Sequence, residues 1–503
     1  MKKAAALLLA LLPFVVVLAL YAPALGFTLM GDDYQWVQHA HRASHRLFEL
    51  FADLDSFYRP TTTWTLALDR IFWSHHPLGF HLTNLLLHST AAALLFLTAR
   101  RLELGPGCAL VAGLLWAIAP FSEESAVSVA IRFEDLLLAA WFGIALAWPQ
   151  RGAKGRWGPV ASFAVLAMLS KETWIVTPAL TFALAWGLSR ESAKRSVQRS
   201  LPFVAAAVLY TLVYFLAFPG DKNYFRYDFT VLAKLPHLLA AFFHLESPVP
   251  LAFPFSTSGL LALGATLALL GVVIKARHPA GVFGGALLFA PQLPTLLVPY
   301  LPPRYLVASY AGFLLLVLCG FSLFRDKLAV RFRPVANLGG VALAVLVFLA
   351  HVYTVRADLR DWARVSAAHA RLVAQAEAVK DRFPLDKPVA VVRADGTNIL
   401  RDIAVSVEGV PKLFFVRGAD PAGLVDAAAL FEWVLAREDL EVRPLKEDPG
   451  ALKRPGAVLL YAADGFHWVS LEEPDLERAV ESFRQRGFPV RVVAARPLPT
   501  LAF

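Results

Sequence analysis

Cysteine is nearly absent from this chain. Its 503 residues include two, Cys108 and Cys319. Both lie inside apolar runs, which excludes a disulfide framework and a cysteine-based zinc site. Charge is scarce too: Asp, Glu, Lys and Arg make up 17% of the residues, against roughly 25% in soluble domains. No segment repeats at a solenoid period. What takes the place of charge is hydrophobic sequence, at 57% of residues and a mean hydropathy of +0.55. Apolar runs long enough to cross a bilayer, about 20 residues each, recur along the chain. The composition implies a polytopic α-helical membrane protein. The net charge of +9 is spread as a topology signal, so nucleic acid is not an expected partner.

The chain opens with Met1-Lys2-Lys3 and an apolar run from Ala4 to Leu25. Ala22-Pro23-Ala24 is a weak cleavage candidate, but the run exceeds the 7–15 residues usual in a signal peptide. It is expected to stay as the first membrane helix. Further spans are expected at about 79–99, 107–121, 133–149, 157–169, 173–188, 201–219, 257–274, 280–300, 303–323 and 335–354, giving eleven crossings. With the N-terminus in the cytoplasm, the inside segments hold 17 Lys and Arg against Glu103, Glu191 and Asp326. These segments are Lys2-Lys3, Arg100-Arg101, Arg151 to Arg156, Arg190 to Arg199, Lys275 to Arg277 and Arg325 to Arg333. That is the positive-inside pattern. Loops 30–78, 122–132, 170–172, 220–256 and 301–304 then face outward, together with the C-terminus.

Residues 1–354 form the membrane domain on this reading, and 355–503 a small outer α/β domain. Arg356 to Asp381 reads as a stalk helix. Segments 388–392, 412–416, 457–461 and 490–493 read as short buried strands, and 421–436 and 474–486 as helices opening near Pro. The function of this domain is not legible from the sequence.

Two adjacent acids, Asp32 and Asp33, follow the first apolar run. Charge beside lipid is costly and usually functional. In a helix the pair would point about 100° apart, so only one can face a given substrate. Capping of the next helix is the competing explanation. Arg59 opens an amphipathic run, 61–76, suited to the interface; it could pair with the acids, hold a phosphate or anchor to headgroups. His81, Asn84 and His88 form a polar stripe on the second span, more in keeping with helix–helix hydrogen bonding than with metal ligation. The loop with Glu123, Glu124, Arg132, Glu134 and Asp135 packs four acids and an Arg into thirteen residues. It could position an acceptor or bind a divalent cation, or its charges could simply solvate one another. Lys171 and Arg304 sit in outer turns too short to leave the lipid surface, where the positive-inside rule calls for no cations. An anion held there would explain them, as would snorkelling to headgroups.

In this order the pieces resemble the C-type glycosyltransferase superfamily, above all the transmembrane and tetratricopeptide-containing O-mannosyltransferases and their bacterial relatives. The resemblance is carried by Asp32-Asp33-Tyr34, Tyr58-Arg59-Pro60, Phe80 to His88, Pro120 to Val127 with Arg132, Ser170-Lys171-Glu172, Arg304-Tyr305-Leu306, and Arg356 with Trp362. It covers roughly residues 1–370. The family's tetratricopeptide array is missing and the α/β tail stands in its place. Phe133 and Glu134 also depart from the small or apolar residues of relatives. The resemblance implies transfer of a sugar from a polyprenyl-phosphate donor to a glycan, lipid or protein acceptor outside a bacterial inner membrane. Asp32 would be the base, with Asp33 as second choice. Arg59, Lys171 and Arg304 would hold the donor phosphate, and Glu123, Glu124, Arg132 and His81 would position acceptor or loop. No cofactor is required, a divalent cation being the one option left open. Two other classes fit parts of the pattern. A flippase of lipid-linked sugars would set its charges near the midplane, and a membrane sensor would explain the tail but not the paired acids.

Overall fold

The computed structural model describes residues 3–44, 57–150, 157–217, 231–243, 256–295 and 303–379, Phe51, and three strands further on. The helices are α1 (Lys3–Tyr21), α2 (Asp32–Ser44), α3 (Pro60–Trp73), α4 (Pro77–Arg101), α5 (Pro106–Ala117), α6 (Glu123–Val127), α7 (Phe133–Ala147) and α8 (Trp157–Met168). They continue with α9 (Thr177–Ala183), α10 (Ala193–Ala217), α11 (Val231–Phe242), α12 (Thr257–Ala276), α13 (Pro279–Phe289), α14 (Gln292–Thr295), α15 (Val307–Lys327) and α16 (Arg333–Val379). Proline opens α3, α4, α5 and α13, where its missing N–H costs nothing and its fixed φ suits the first turn.

Each expected span overlaps helix among the described residues. Six of these stretches are long and apolar enough to cross a membrane by themselves, at Ala5–Gly26, Pro77–Arg101, Ala193–Leu216, Thr257–Ala276, Pro303–Lys327 and within Val330–Gln375. The other expected spans fall on shorter helices, such as the 12-residue α5 and α8. Six crossings are therefore supported by helix length and apolarity among the described residues, and eleven remains the sequence expectation.

Helix α4 is the central post, packed by α1, α3, α5, α6 and α7. It buries Phe80, Leu85, Leu95 and Phe96. Helices α13 and α15 pack at backbone distance. A Cβ on Gly312 would lie 2.3 Å from the Leu288 nitrogen, and one on Gly284 would lie 2.8 Å from the Gly312 oxygen. Small residues allow this approach where no hydrophobic effect pulls helices together in lipid. By contrast α10, α12 and the first half of α16 leave Leu209, Leu212, Leu261, Leu267, Leu338 and Leu346 exposed. Apolar faces of this kind suit contact with lipid rather than water.

The last span and the expected stalk are one helix. At 1.5 Å per residue the 47 residues of α16 extend about 70 Å, more than twice the ~30 Å hydrocarbon thickness. Its outer half returns to the bundle, burying Val355, Leu359, Trp362 and Val365. Beyond it, β1 (Val389–Arg393) pairs in parallel with β2 (Ala457–Ala462), which pairs antiparallel with β3 (Gly465–Ser470). The strands expected at 388–392 and 457–461 are present, and β3 was not anticipated. The expected strands 412–416 and 490–493 and helices 421–436 and 474–486 lie outside the described residues, as does the loop Arg151 to Arg156.

Charged side chains gather at the two ends of the bundle. At one end, residues from 30–78, 122–135, 170–172 and 304 bond to one another. At the other, Arg190 meets Glu103, Arg101 meets the Trp148 carbonyl, and Arg277 meets the carbonyls of Trp186 and Glu191. Among the described residues, these loops of the charge rule are thus grouped in space.

Candidate active site

The site begins with a turn. Gly31 takes φ +53°, a left-handed conformation that glycine adopts without strain. It lets the chain leave α1 and enter α2 with both acids in the first turn, where a helix N-terminus favours negative charge. The two acids then part company. Asp33 is fully buried and accepts three hydrogen bonds: from the Met30 N–H at 3.1 Å, the Ser128 hydroxyl at 2.9 Å and the Ala130 N–H at 2.7 Å. It pins the turn to residues 128–130. Burial nevertheless pushes its carboxyl up to about 7, these three donors pulling the other way. Asp32 is only half-buried and lies within electrostatic reach of Arg304.

Each of the three cations expected at a phosphate is held by a carboxylate. Arg59 grips Glu172 through two bonds of 3.1 Å, so its ion pair is with Glu172 and not with the Asp32-Asp33 pair. Lys171 bonds Glu134, and Arg304 bonds Glu124 at 2.6 Å. Two aromatic rings tie the cations into one cluster. The Phe133 ring lies 3.8 Å from Arg59 and 5.4 Å from Lys171. The Tyr305 ring lies 4.7 Å from Lys171 and 5.6 Å from Arg304. Phe133 and Glu134, the departures from the family pattern, are therefore the residues that seat Arg59 and Lys171. Burial draws the Lys171 amine below the ordinary lysine range, and Glu134 counteracts that.

Behind this cluster Arg132 is a structural hub. It is fully buried, and bonds Asp69 at 2.6 Å, the Asn84 side-chain oxygen at 2.8 Å and the Phe80 carbonyl at 3.2 Å. Asn84 in turn donates to the carbonyls of Ser125 and Ser128. The segment from Ser125 to Arg132 is thereby fixed to α4. His81 meets the Thr28 carbonyl at 3.3 Å, and His88 meets Asp135 at 2.9 Å and the Ala117 carbonyl at 3.1 Å. The polar stripe of α4 joins segments together. Glu123 is fully buried in the first turn of α6, within electrostatic reach of Tyr21. No group of three or more His, Cys, Asp or Glu among the described residues is arranged to hold a metal ion.

Several of these roles were not read from the sequence. Asp69 is one: a lone acid at a buried position of an otherwise amphipathic helix was the available signal. The aromatic bridge through Phe133 and Tyr305 and the anchoring by Ser128 and Ala130 depend on segments far apart in the chain and left no local signature.

The fold and site define a multi-pass helical membrane protein whose buried charges form a layer at one end of its bundle. No family model matches the chain. It is 32% identical over 143 residues to the human Protein O-mannosyl-transferase TMTC4, a match covering 24% of this chain and 19% of that protein. It is 30% identical over 134 residues to Protein O-mannosyl-transferase Tmtc1 of Drosophila melanogaster, covering 26% of this chain and 15% of that one. The matches thus span less than a fifth of the length of these relatives. A likeness to protein O-mannosyl-transferases is thus present in aligned sequence over about a quarter of the chain. Among solved structures, ArnT from Cupriavidus metallidurans in the apo state is similar at a TM-score of 0.42 and 16% identity, covering 84% of this chain and 75% of that one. The same protein bound to undecaprenyl phosphate gives 0.43 and 16%, covering 84% and 77%.

Proposed function

We propose that this protein is a membrane glycosyltransferase that moves a sugar from a polyprenyl-phosphate donor to an acceptor hydroxyl on the extracytoplasmic face of a bacterial inner membrane. Asp32 is the general base. It takes the proton of the acceptor hydroxyl as that oxygen bonds to the anomeric carbon. The bond from that carbon to the phosphate oxygen breaks on the opposite side, and its electron pair leaves with the lipid phosphate. The configuration is inverted. A positioned base contributes typically 10²–10⁴-fold.

The observation that carries this reading is the contrast within the acid pair. Asp33 has three donors and is buried, whereas Asp32 is half-buried beside Arg304. Asp33 holds the turn by burial and three donors, and Asp32 is the acid of the pair that keeps some solvent exposure. Arg304, with Lys171 and Arg59 behind it, stabilises the charge that grows on the departing phosphate. Arg is suited to that task by its planar fork of donors. The O-mannosyl-transferase names of the matched relatives agree with sugar transfer.

The test offers purified protein a panel of undecaprenyl-phosphate sugars and measures released lipid phosphate and glycosylated acceptor. Turnover by the wild type and its loss in Asp32→Asn, with helix content unchanged, are expected. Undiminished transfer by Asp32→Asn would remove Asp32 from the site.

A further inference from the structure

The outer half of α16 packs against the turn that carries Asp32, and its contacts are specific. The Thr28 N–H donates to the Ser366 hydroxyl at 2.9 Å across 338 residues of sequence. The Thr28 carbonyl is taken by His81, so both polar backbone groups of Thr28 are fixed by side chains from other helices. On the far side of the acids, the His369 ring stacks on Tyr34 with centroids 5.9 Å apart and planes at 23°. Tyr34 and His369 are both buried. Leu359, Trp362, Ser366 and His369 follow one another at steps of three, four and three, which puts them on one helix face. All four are buried, although residues 335–349 of the same helix expose Val335, Leu338, Val341 and Leu346.

We propose that α16 is a brace for the catalytic turn, with Ser366 and His369 as positioning residues that fix Asp32 from either side. This rests on the reading of Asp32 as the base. Asp32 opens α2 straight after the 22–31 connection, and Asp33 ties that turn to residues 128–130; α16 adds a second support. A misplacement of about 1 Å can cost on the order of 10²-fold in rate. The brace is a continuous helix, packed into the bundle from His351 through Val355, Leu359 and Trp362, so it presents the two side chains at a fixed height. Strand β3 packs on the same helix, which makes the C-terminal strands part of this support. The tail thereby gains a function that its sequence did not disclose.

The test uses the full-length protein in detergent or nanodiscs. Ser366→Ala combined with His369→Ala is expected to lower kcat on the order of 10²-fold, leave the donor KM within about twofold, and speed amide exchange at residues 28–34 but not in α4. The conservative pair, Ser366→Thr with His369→Phe, keeps a hydroxyl and a stacking ring, and is expected to restore most of the turnover and protection. Wild-type kcat and unchanged exchange at 28–34 in the alanine pair would overturn the brace. So would failure of the conservative pair to restore either. Should Asp32→Asn prove fully active, the base assignment fails, and the exchange measurement still decides whether α16 holds the turn.

Discussion

The two ends of the bundle carry charge in opposite ways. At the end expected to face the cytoplasm, Arg190 and Glu103 pair at 3.1 Å with side chains 46% and 51% exposed, and Arg325 with Asp326 at 30% and 57%. At the other end the side chains of the Arg132–Asp69, Lys171–Glu134 and Arg304–Glu124 pairs are at most 13% exposed, and Arg59–Glu172 is at 8% and 24%. Exposed pairs contribute little, about 0–1 kcal/mol, and are easily exchanged. Buried pairs pay a desolvation cost that their attraction only partly repays, so they are poor devices for stability alone. Charge at the first end follows the positive-inside pattern, whereas charge at the second fits the proposed transfer site.

The comparison is broken most directly at Asp32. Asp32→Asn should cut transfer 10²–10⁴-fold without altering the circular dichroism spectrum, and a variant with normal turnover would leave the buried layer without a catalytic reason. The next effect is on stability. Arg132→Met leaves Asp69 with only the Thr83 hydroxyl and the Asn84 oxygen without its guanidinium partner, and should cost about 3–5 kcal/mol, read as a fall in the thermal midpoint. At the opposite end Arg190→Ala should change stability by no more than about 0.5 kcal/mol. If these two variants were equally benign, the ends would not differ as claimed.

A pH dependence sharpens the distinction between the two acids. The folded protein holds the Asp33 proton up to about pH 7, well above the ordinary 3.8. The folded state therefore binds that proton more tightly than the unfolded one. The stabilisation this gives is fully present below about pH 4 and is lost as pH rises through about 7. Thermal unfolding of the wild type against Asp33→Asn between pH 5 and 8 should show the wild type losing stability with rising pH and the variant flatter. Parallel profiles would remove Asp33 as the source.

Much of the architecture could be read from local pattern. Each apolar run fell on a helix, because a chain in lipid must satisfy its backbone hydrogen bonds within the segment. The loops grouped by charge also met in space. The candidate residues Asp32, Arg59, Lys171 and Arg304 were legible as charges where charge is costly. Their partners were less so. Arg59 meets Glu172, 113 residues away, and Asp33 is anchored by Ser128 and Ala130. Pairing of this kind depends on how helices are placed side by side, and no periodicity records it.

What the sequence by itself determined is the class of protein, the positions of its helices and the grouping of its charged loops. Each follows from the energy of putting a given residue in hydrocarbon or in water, which acts on one segment at a time. Only the tertiary structure decided which of two neighbouring acids is fully buried, that Arg59, Lys171 and Arg304 each meet a carboxylate, and that α16 returns to the turn before α2. Those outcomes depend on burial by distant segments, because a carboxylate's solvation and partners are properties of the space around it and not of its neighbours in the chain.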